Sequence, residues 1–264
     1  MSSSLSEAQI GRAAELLTSA RLSISQIESL GDLAPPDLSA AHRIADAHAD
    51  LLGWSPIGWK VGATSTVAMQ MLSCAEPFAG RIFDGTVYGS QILHPDAMID
   101  PFLETEFAFL LAKDLPPRDS LYSLDELKDA THGVMPAFEL VTSRFTDWTS
   151  VGYLNLIADS GLNGGVVLGH PVSTDELPNL AEVDVSLTID GAEIATGSGA
   201  HILGDPWRSL EWLANHLSAR QIGLRTGEFV MSGTCSGITP FPIDSTAVAT
   251  FSGLGQVAIS RTAG

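Results

Sequence analysis

The stretch Phe102-Leu103-Glu104-Thr105-Glu106-Phe107-Ala108-Phe109-Leu110-Leu111 decides how the chain is read. It is apolar, rich in aromatics and free of Gly, Pro and Lys, which predicts a buried β-strand. Side chains alternate along a strand, so Glu104 and Glu106 share one face. Two neighbouring carboxylates on an apolar strand repel each other and lose hydration. Two readings fit. The strand is an exposed edge with solvated glutamates, or a divalent cation compensates them. A third carboxylate, Glu139, stands in a similar run, Pro136-Ala137-Phe138-Glu139-Leu140-Val141. The trio predicts a hard-metal site built from Glu104, Glu106 and Glu139.

Upstream, Ile57-Gly58-Trp59-Lys60-Val61-Gly62-Ala63 reads as a strand that carries a lysine. Lysine seldom sits inside a buried strand without a partner. Lys60 is either a cation aimed at a carboxylate or a side chain snorkelling to the surface. Arg81 and Asp84 mark a loop or strand end and could simply pair with each other. Asp159 precedes the turn Gly161-Leu162-Asn163-Gly164-Gly165, where polar residues often serve turn chemistry alone.

Residues 5–31 read as a helix with Ser6 and Gln9 at capping-box spacing. After Pro35-Pro36 a second helix starts near Asp37 or Ser39 and ends at Gly53. His48 falls on its inner stripe as a hydrogen-bonded packing residue. These helices form an N-terminal helical region, residues 1–60, suited to packing on the body or on a second subunit. Residues 61–264 form the β-rich, metal-binding body. Within it, Ser123 and Glu126 cap a short helix. Asp190-Gly191 turns a hairpin, and Asp205-Pro206 starts a helix running to about Ala219. Strands follow at 229–231, 247–251 and 256–260.

Hydrophobic residues make up 45% of the 264 and charged residues 17%, which suits one large domain. The net charge is −18, with 31 acidic against 13 basic residues and no Lys/Arg cluster, which argues against nucleic acid as a partner. No apolar run reaches membrane length, and Met1-Ser2-Ser3-Ser4, with no basic region followed by an apolar core, predicts no secretory leader. Cys74 and Cys235 lack metal-type spacing and fit reduced thiols in a cytoplasmic protein.

Several motifs together carry a family resemblance: Gly58-Trp59-Lys60-Val61-Gly62, Glu104-Thr105-Glu106-Phe107-Ala108-Phe109, Pro136-Ala137-Phe138-Glu139-Leu140, Ile157-Ala158-Asp159, Leu203-Gly204-Asp205-Pro206 and Ser232-Gly233-Thr234. In this order they resemble the 2-hydroxypentadienoate hydratase / 4-oxalocrotonate decarboxylase family of aromatic meta-cleavage pathways, within the fumarylacetoacetate hydrolase superfamily. The resemblance implies an α+β fold, a mixed and strongly bent β-sheet roll or barrel-like body with an N-terminal helical region. It implies Mg²⁺ or Mn²⁺ on Glu104, Glu106 and Glu139, and a homo-oligomer. It also implies a small 2-oxo or 2-hydroxydienoic acid as substrate, with charge building on an enolate oxygen near the metal. Lys60 then pairs with the substrate, Asp84 shuttles a proton, and Asp159 orients a ligand or is structural.

The pattern departs from the hydratases at Arg81–Gly85. They carry a Gly-x-Leu-x-Asp-Asp-Met-like run there, but here only Asp84 matches and Gly85 replaces the second acid. Three reactions therefore stay open: hydration of a 2-hydroxydienoate, decarboxylation of a 2-oxo-enedioate, or hydrolysis of an acylpyruvate. The second needs a distal cation, for which Arg81, Arg144 and Arg208 are available. The third needs a His–carboxylate pair, for which His132 and His170 are the histidines to consider. A scaffold subunit without turnover is the non-enzyme alternative.

Overall fold

The computed structural model describes residues 4–89, 92–94 and 97–263, without the side chain of Ile92. Residues 1–3, read above for a leader, lie outside that range. Helix α1 (Glu7–Leu22) begins at Ser6 with a complete capping box to Gln9. It stops well short of residue 31. Ile24 turns with φ +49°, and the chain then runs along the body, where Ile27 N donates to Arg144 O and Thr146 N to Ile27 O. Pairing with the body wins over continued helix. Helix α2 (Leu38–Leu52) is capped by Asp37 and closed by Gly53 at φ +64°. His48 is fully buried and 2.8 Å from Thr18 Oγ1, so it joins α1 to α2.

The strands, in chain order, are β1 (Pro56–Gly62), β2 (Phe78–Phe83), β3 (Val87–Tyr88), β4 (Ile92–Leu93), β5 (Phe102–Leu111), β6 (Thr131–Val141), β7 (Asn163–Leu168), β8 (Val172–Ser173), β9 (Asp184–Ile189), β10 (Ala192–Ser198), β11 (Phe229–Met231), β12 (Thr239–Pro240), β13 (Ser245–Phe251) and β14 (Gly255–Arg261). Four helices lie between them: α3 (Thr66–Leu72), α4 (Leu124–Ala130), α5 (Tyr153–Ala158) and α6 (Pro206–Ala219). The expected boundary at residue 60 falls inside β1, because the helical region ends at Gly53 and Lys60 belongs to the sheet.

A mixed, curled sheet runs in the order β2-β1-β11-β5-β6-β7-β3, with β12 on β5 and β8 on β6. β1 pairs β11 in parallel, and β5 pairs both β11 and β6 antiparallel. A second sheet runs β10-β9-β13-β14-β4. Its β9–β10 hairpin turns at Asp190 and Gly191, both at positive φ, as a two-residue turn of the type that matches strand twist requires.

The two faces of β5 diverge with period two. Leu103, Phe107, Phe109 and Leu111 enter the main core shared with the second sheet and α6, where Trp207 packs 4.7 Å from Phe109. The other face carries Ala108 and Leu110 toward a smaller core inside the curl, with Glu104 and Glu106 beside it. The N-terminal helices have their own cluster, closed by Phe145 and Ala158. Among the described residues no helix is long and apolar enough to cross a membrane.

Candidate metal centre

Strand pairing assembles the carboxylates. Glu104 lies directly opposite Glu139 in the β5–β6 register, and Glu106 lies two residues further along the same face. One ligand oxygen from each of the three falls within 4.8 Å of the others. Glu106 and Glu139 are fully buried and Glu104 is half-buried at a cavity wall. Burial pushes the Glu106 carboxyl well above its usual range, and the charges of Glu139 and Glu104 push it further. Burial likewise raises Glu104 to about 7, against the pull of Lys60 and with reinforcement from Glu139.

Each buried carboxylate is held by a neutral donor on one oxygen only. Glu106 Oε2 accepts from Gly233 N at 2.8 Å, while its Oε1 has no hydrogen bond. Glu139 Oε1 accepts from Asn163 Nδ2 at 3.0 Å, while its Oε2 faces Lys60 Nζ at 3.1 Å as an ion pair. A donorless Glu106 Oε1, beside Glu104 and a Glu139 oxygen met only by Lys60, is an acidic oxygen set of the kind hard cations take. The residues fit Mg²⁺ or Mn²⁺.

Lys60 is buried, and its Nζ also donates to Gly161 O at 3.1 Å. Burial opposes its charge, yet Glu139, Glu104 and Glu106 together hold its pKa above the ordinary value. The turn that supplies Gly161 O is strained: Ser160, Gly161 and Leu162 all have positive φ. It approaches because Gly80, the cross-strand partner of Lys60, has no side chain. A Cβ there would stand 2.1 Å from Ser160 O.

A cavity of about 290 Å³ opens from Lys60 and Glu104. Its walls come from α3, from the 161–162 turn, from Trp148 and from the segment around Gly233 and Ile238.

Comparison with known proteins matches residues 77–259 to the fumarylacetoacetate hydrolase C-terminal model. The chain belongs to the fumarylacetoacetate hydrolase C-terminal family. A 2-keto-4-pentenoate hydratase of Paraburkholderia xenovorans is 33% identical over 208 residues, 78% of this chain and 76% of the relative. One from Burkholderia vietnamiensis is 30% identical over 259 residues, 96% of this chain and 97% of the relative. The fold matches that of 4-oxalocrotonate decarboxylase from Pseudomonas putida, solved with magnesium and adipate. The TM-score is 0.91 at 23% identity, over 98% of this chain and 99% of the other.

Within this member of the fumarylacetoacetate hydrolase family, the expected site residues divide. Glu104, Glu106, Glu139 and Lys60 come together. Asp84 does not join them. It is exposed on the 3-10 turn after β2, its Oδ1 accepts from Gly85 N at 2.9 Å, and it does not line the cavity. The alternative in which Arg81 and Asp84 simply pair does not hold either. Arg81 binds Asp46 at 2.7 Å and lies over the Trp59 ring. Asp159 is buried, but it is engaged by Arg144, with Nε 2.6 Å from Oδ1 and the backbone N 3.2 Å from Oδ2. It acts on the cluster only at a distance: Arg144 Nη1 donates to Asn163 O, and the Asn163 side chain holds Glu139.

Sequence reasoning missed Asn163 and the Gly233 amide as holders of the carboxylates. Asn163 was visible as a polar residue in a glycine-rich turn just before an apolar strand, but nothing local tied it to Glu139.

Proposed function

We propose that the chain is a divalent-metal-dependent lyase of the 2-hydroxypenta-2,4-dienoate hydratase type, acting in aromatic catabolism. The observation that carries this reading is the cavity, which joins the carboxylate cluster and Lys60 to a pocket whose described lining holds no second cation. The hydratase names of the relatives that match at 30–33% identity support it. Glu104, Glu106 and Glu139 would hold Mg²⁺ or Mn²⁺. When bound, the cation supplies positive charge beside the C2 oxygen and carboxylate of a 2-oxo acid. Gly233 N and Asn163 Nδ2 each fix one oxygen of Glu106 and Glu139, which orients the carboxylates. Lys60 offers its ammonium to the substrate carboxylate or to the C2 oxygen.

The reaction balances with water as the only co-reactant. The C2 hydroxyl proton is lost and C5 gains one, giving the 2-oxo-3-enoate. Water oxygen then bonds C4 and a proton ends on C3, giving the 4-hydroxy-2-oxo acid. Beside Glu104, which would hold the cation, Lys60 is the ionisable group of the described lining, so proton traffic falls to it and to water.

Decarboxylation of an enedioate is the weaker reading. The arginines it could use are committed elsewhere: Arg81 to Asp46, Arg144 to Asp159 and Arg208 to Glu211. His132 and His170 are exposed and away from the cavity, which disfavours the hydrolase reading. Leu16, Leu22 and Leu51 stay exposed on α1 and α2 and support self-association into a homo-oligomer. The free buried thiols Cys74 and Cys235 accord with a cytoplasmic setting.

The test is an ultraviolet assay of 2-hydroxypenta-2,4-dienoate and 2-oxohex-3-enedioate with Mg²⁺, with carbon dioxide trapped. Consumption of the first without carbon dioxide is expected. Carbon dioxide from the second, with the first left intact, would replace hydration by decarboxylation.

A further inference from the structure

Helix α3 has an unusual place in the fold. It is well started, with Ser65 Oγ accepting from Ala68 N, yet none of its seven residues is buried. Its apolar side chains Val67, Ala68, Met71 and Leu72 follow i, i+1, i+4, i+5 spacing and form one face. That face lines the cavity instead of entering a core. Val67 is 75% exposed and Met71 62%, and Ile238, which lines the same cavity, is 38% exposed. Trp148 and Leu156 form an apolar wall of the same cavity. A cost is attached to leaving such a surface wet, and an apolar ligand would remove it.

The segment that carries α3 is fixed to the metal end. Ala63 takes φ +57°, and Thr64 packs so closely on Gly233 that a Cβ there would meet its Oγ1 at 2.1 Å. Gly233 is the residue whose amide holds Glu106. A substrate anchored at the carboxylates therefore has its far end directed at the α3 face. A second carboxylate there would be desolvated against carbon, without a partner among the described lining residues.

We infer that this cavity selects a monocarboxylic substrate with an apolar alkyl or aryl tail beyond C5, and that Val67, Met71 and Ile238 determine that preference. The inference rests on the metal-dependent lyase reading for its anchoring end. Its occupant is the substrate tail.

The test uses the full-length protein loaded with Mg²⁺ and calorimetric binding of saturated 2-oxo acids, which do not turn over. From 2-oxopentanoate through 2-oxohexanoate to 2-oxooctanoate, Kd should fall about two- to fourfold per added methylene. 2-Oxoadipate should bind at least about tenfold more weakly than 2-oxohexanoate. Met71→Glu, at an exposed position, should flatten the series while thermal unfolding stays unchanged. A flat wild-type series, or tighter binding of 2-oxoadipate, overturns the inference. So does a series that persists in Met71→Glu while sedimentation shows the variant dissociating, because α3 would then be a contact between copies. Chain-length-dependent binding without hydration of any dienoate would leave the tail site standing and remove the lyase reading. Failure of all these acids to bind would remove both.

Discussion

At the scale of single residues, Lys60 joins the two halves of the site. Its ammonium faces Glu139 and Gly161 O, while its stem passes so close to Gly161 that a Cβ there would stand 2.9 Å from Cδ. Lys60→Met keeps the stem and loses the charge. It should leave the far-ultraviolet spectrum unchanged and cut kcat/KM by about a hundredfold or more, the scale of a lost charged transition-state contact. Lys60→Arg should rescue little, because a planar fork does not fit a slot shaped for a point charge. Wild-type turnover in Lys60→Met would remove Lys60 from the site. Asn163→Ala leaves Glu139 Oε1 without its donor, so Mn²⁺ affinity measured by calorimetry should drop about tenfold or more. An unchanged affinity would show that Glu139 needs no such support. Strand alternation made Glu104 and Glu106 legible as a pair from sequence. The Gly233 amide and Asn163 were not, because each meets its carboxylate through a fold contact that no local pattern encodes. Asp84 lies outside the cavity lining, on an exposed turn whose place is fixed by where β2 ends.

At the scale of elements, the site depends on register. Glu104 opposite Glu139 holds only in the observed β5–β6 alignment, and a one-residue slip would turn the glutamates into the main core. The Gly80–Gly161 approach is the second such constraint. Gly80→Ala would drive its Cβ into the Ser160 carbonyl. It should destabilise the protein by about 2 kcal/mol or more in urea unfolding. Unaltered stability would mean that the 160–162 turn moves freely. Helices with a local stop and start were readable: Ser6 with Gln9, Ser123 with Glu126, Asp205 with Pro206 and the Asp190-Gly191 hairpin all fall where spacing puts them. The end of α1 was not, because its continuation is lost to backbone pairing between Ile27 and the body. α3 escaped notice within a glycine- and proline-rich stretch because its apolar face meets a cavity.

At the scale of the whole molecule, a chain with net charge −18 gathers three carboxylates into one partly dry cluster. Strand order was beyond sequence reading, since β11 inserts between β1 and β5 from more than a hundred residues away. The clustered charge has a consequence for stability without metal. Glu104 rises from 4.5 to about 7 on folding, chiefly through burial. Between those values the folded state binds more protons than the unfolded one, so stability falls as pH rises. The penalty is absent below 4.5 and fully present above about 7, and Glu106 moves in the same direction. In EDTA the urea midpoint should therefore fall from pH 5.5 to pH 8, and Mg²⁺ should restore it most at pH 8. A midpoint that rises with pH in EDTA would contradict this charge balance. The central claim is that the carboxylate trio holds the cation on which turnover depends. The most direct measurement follows 2-hydroxypenta-2,4-dienoate by ultraviolet absorbance in EDTA-stripped protein as Mn²⁺ is added back. Activity should be nil at the start and recover to saturation at one ion per chain, and Glu106→Gln should need more Mn²⁺ by an order of magnitude or more. Full activity in the stripped protein would contradict the claim.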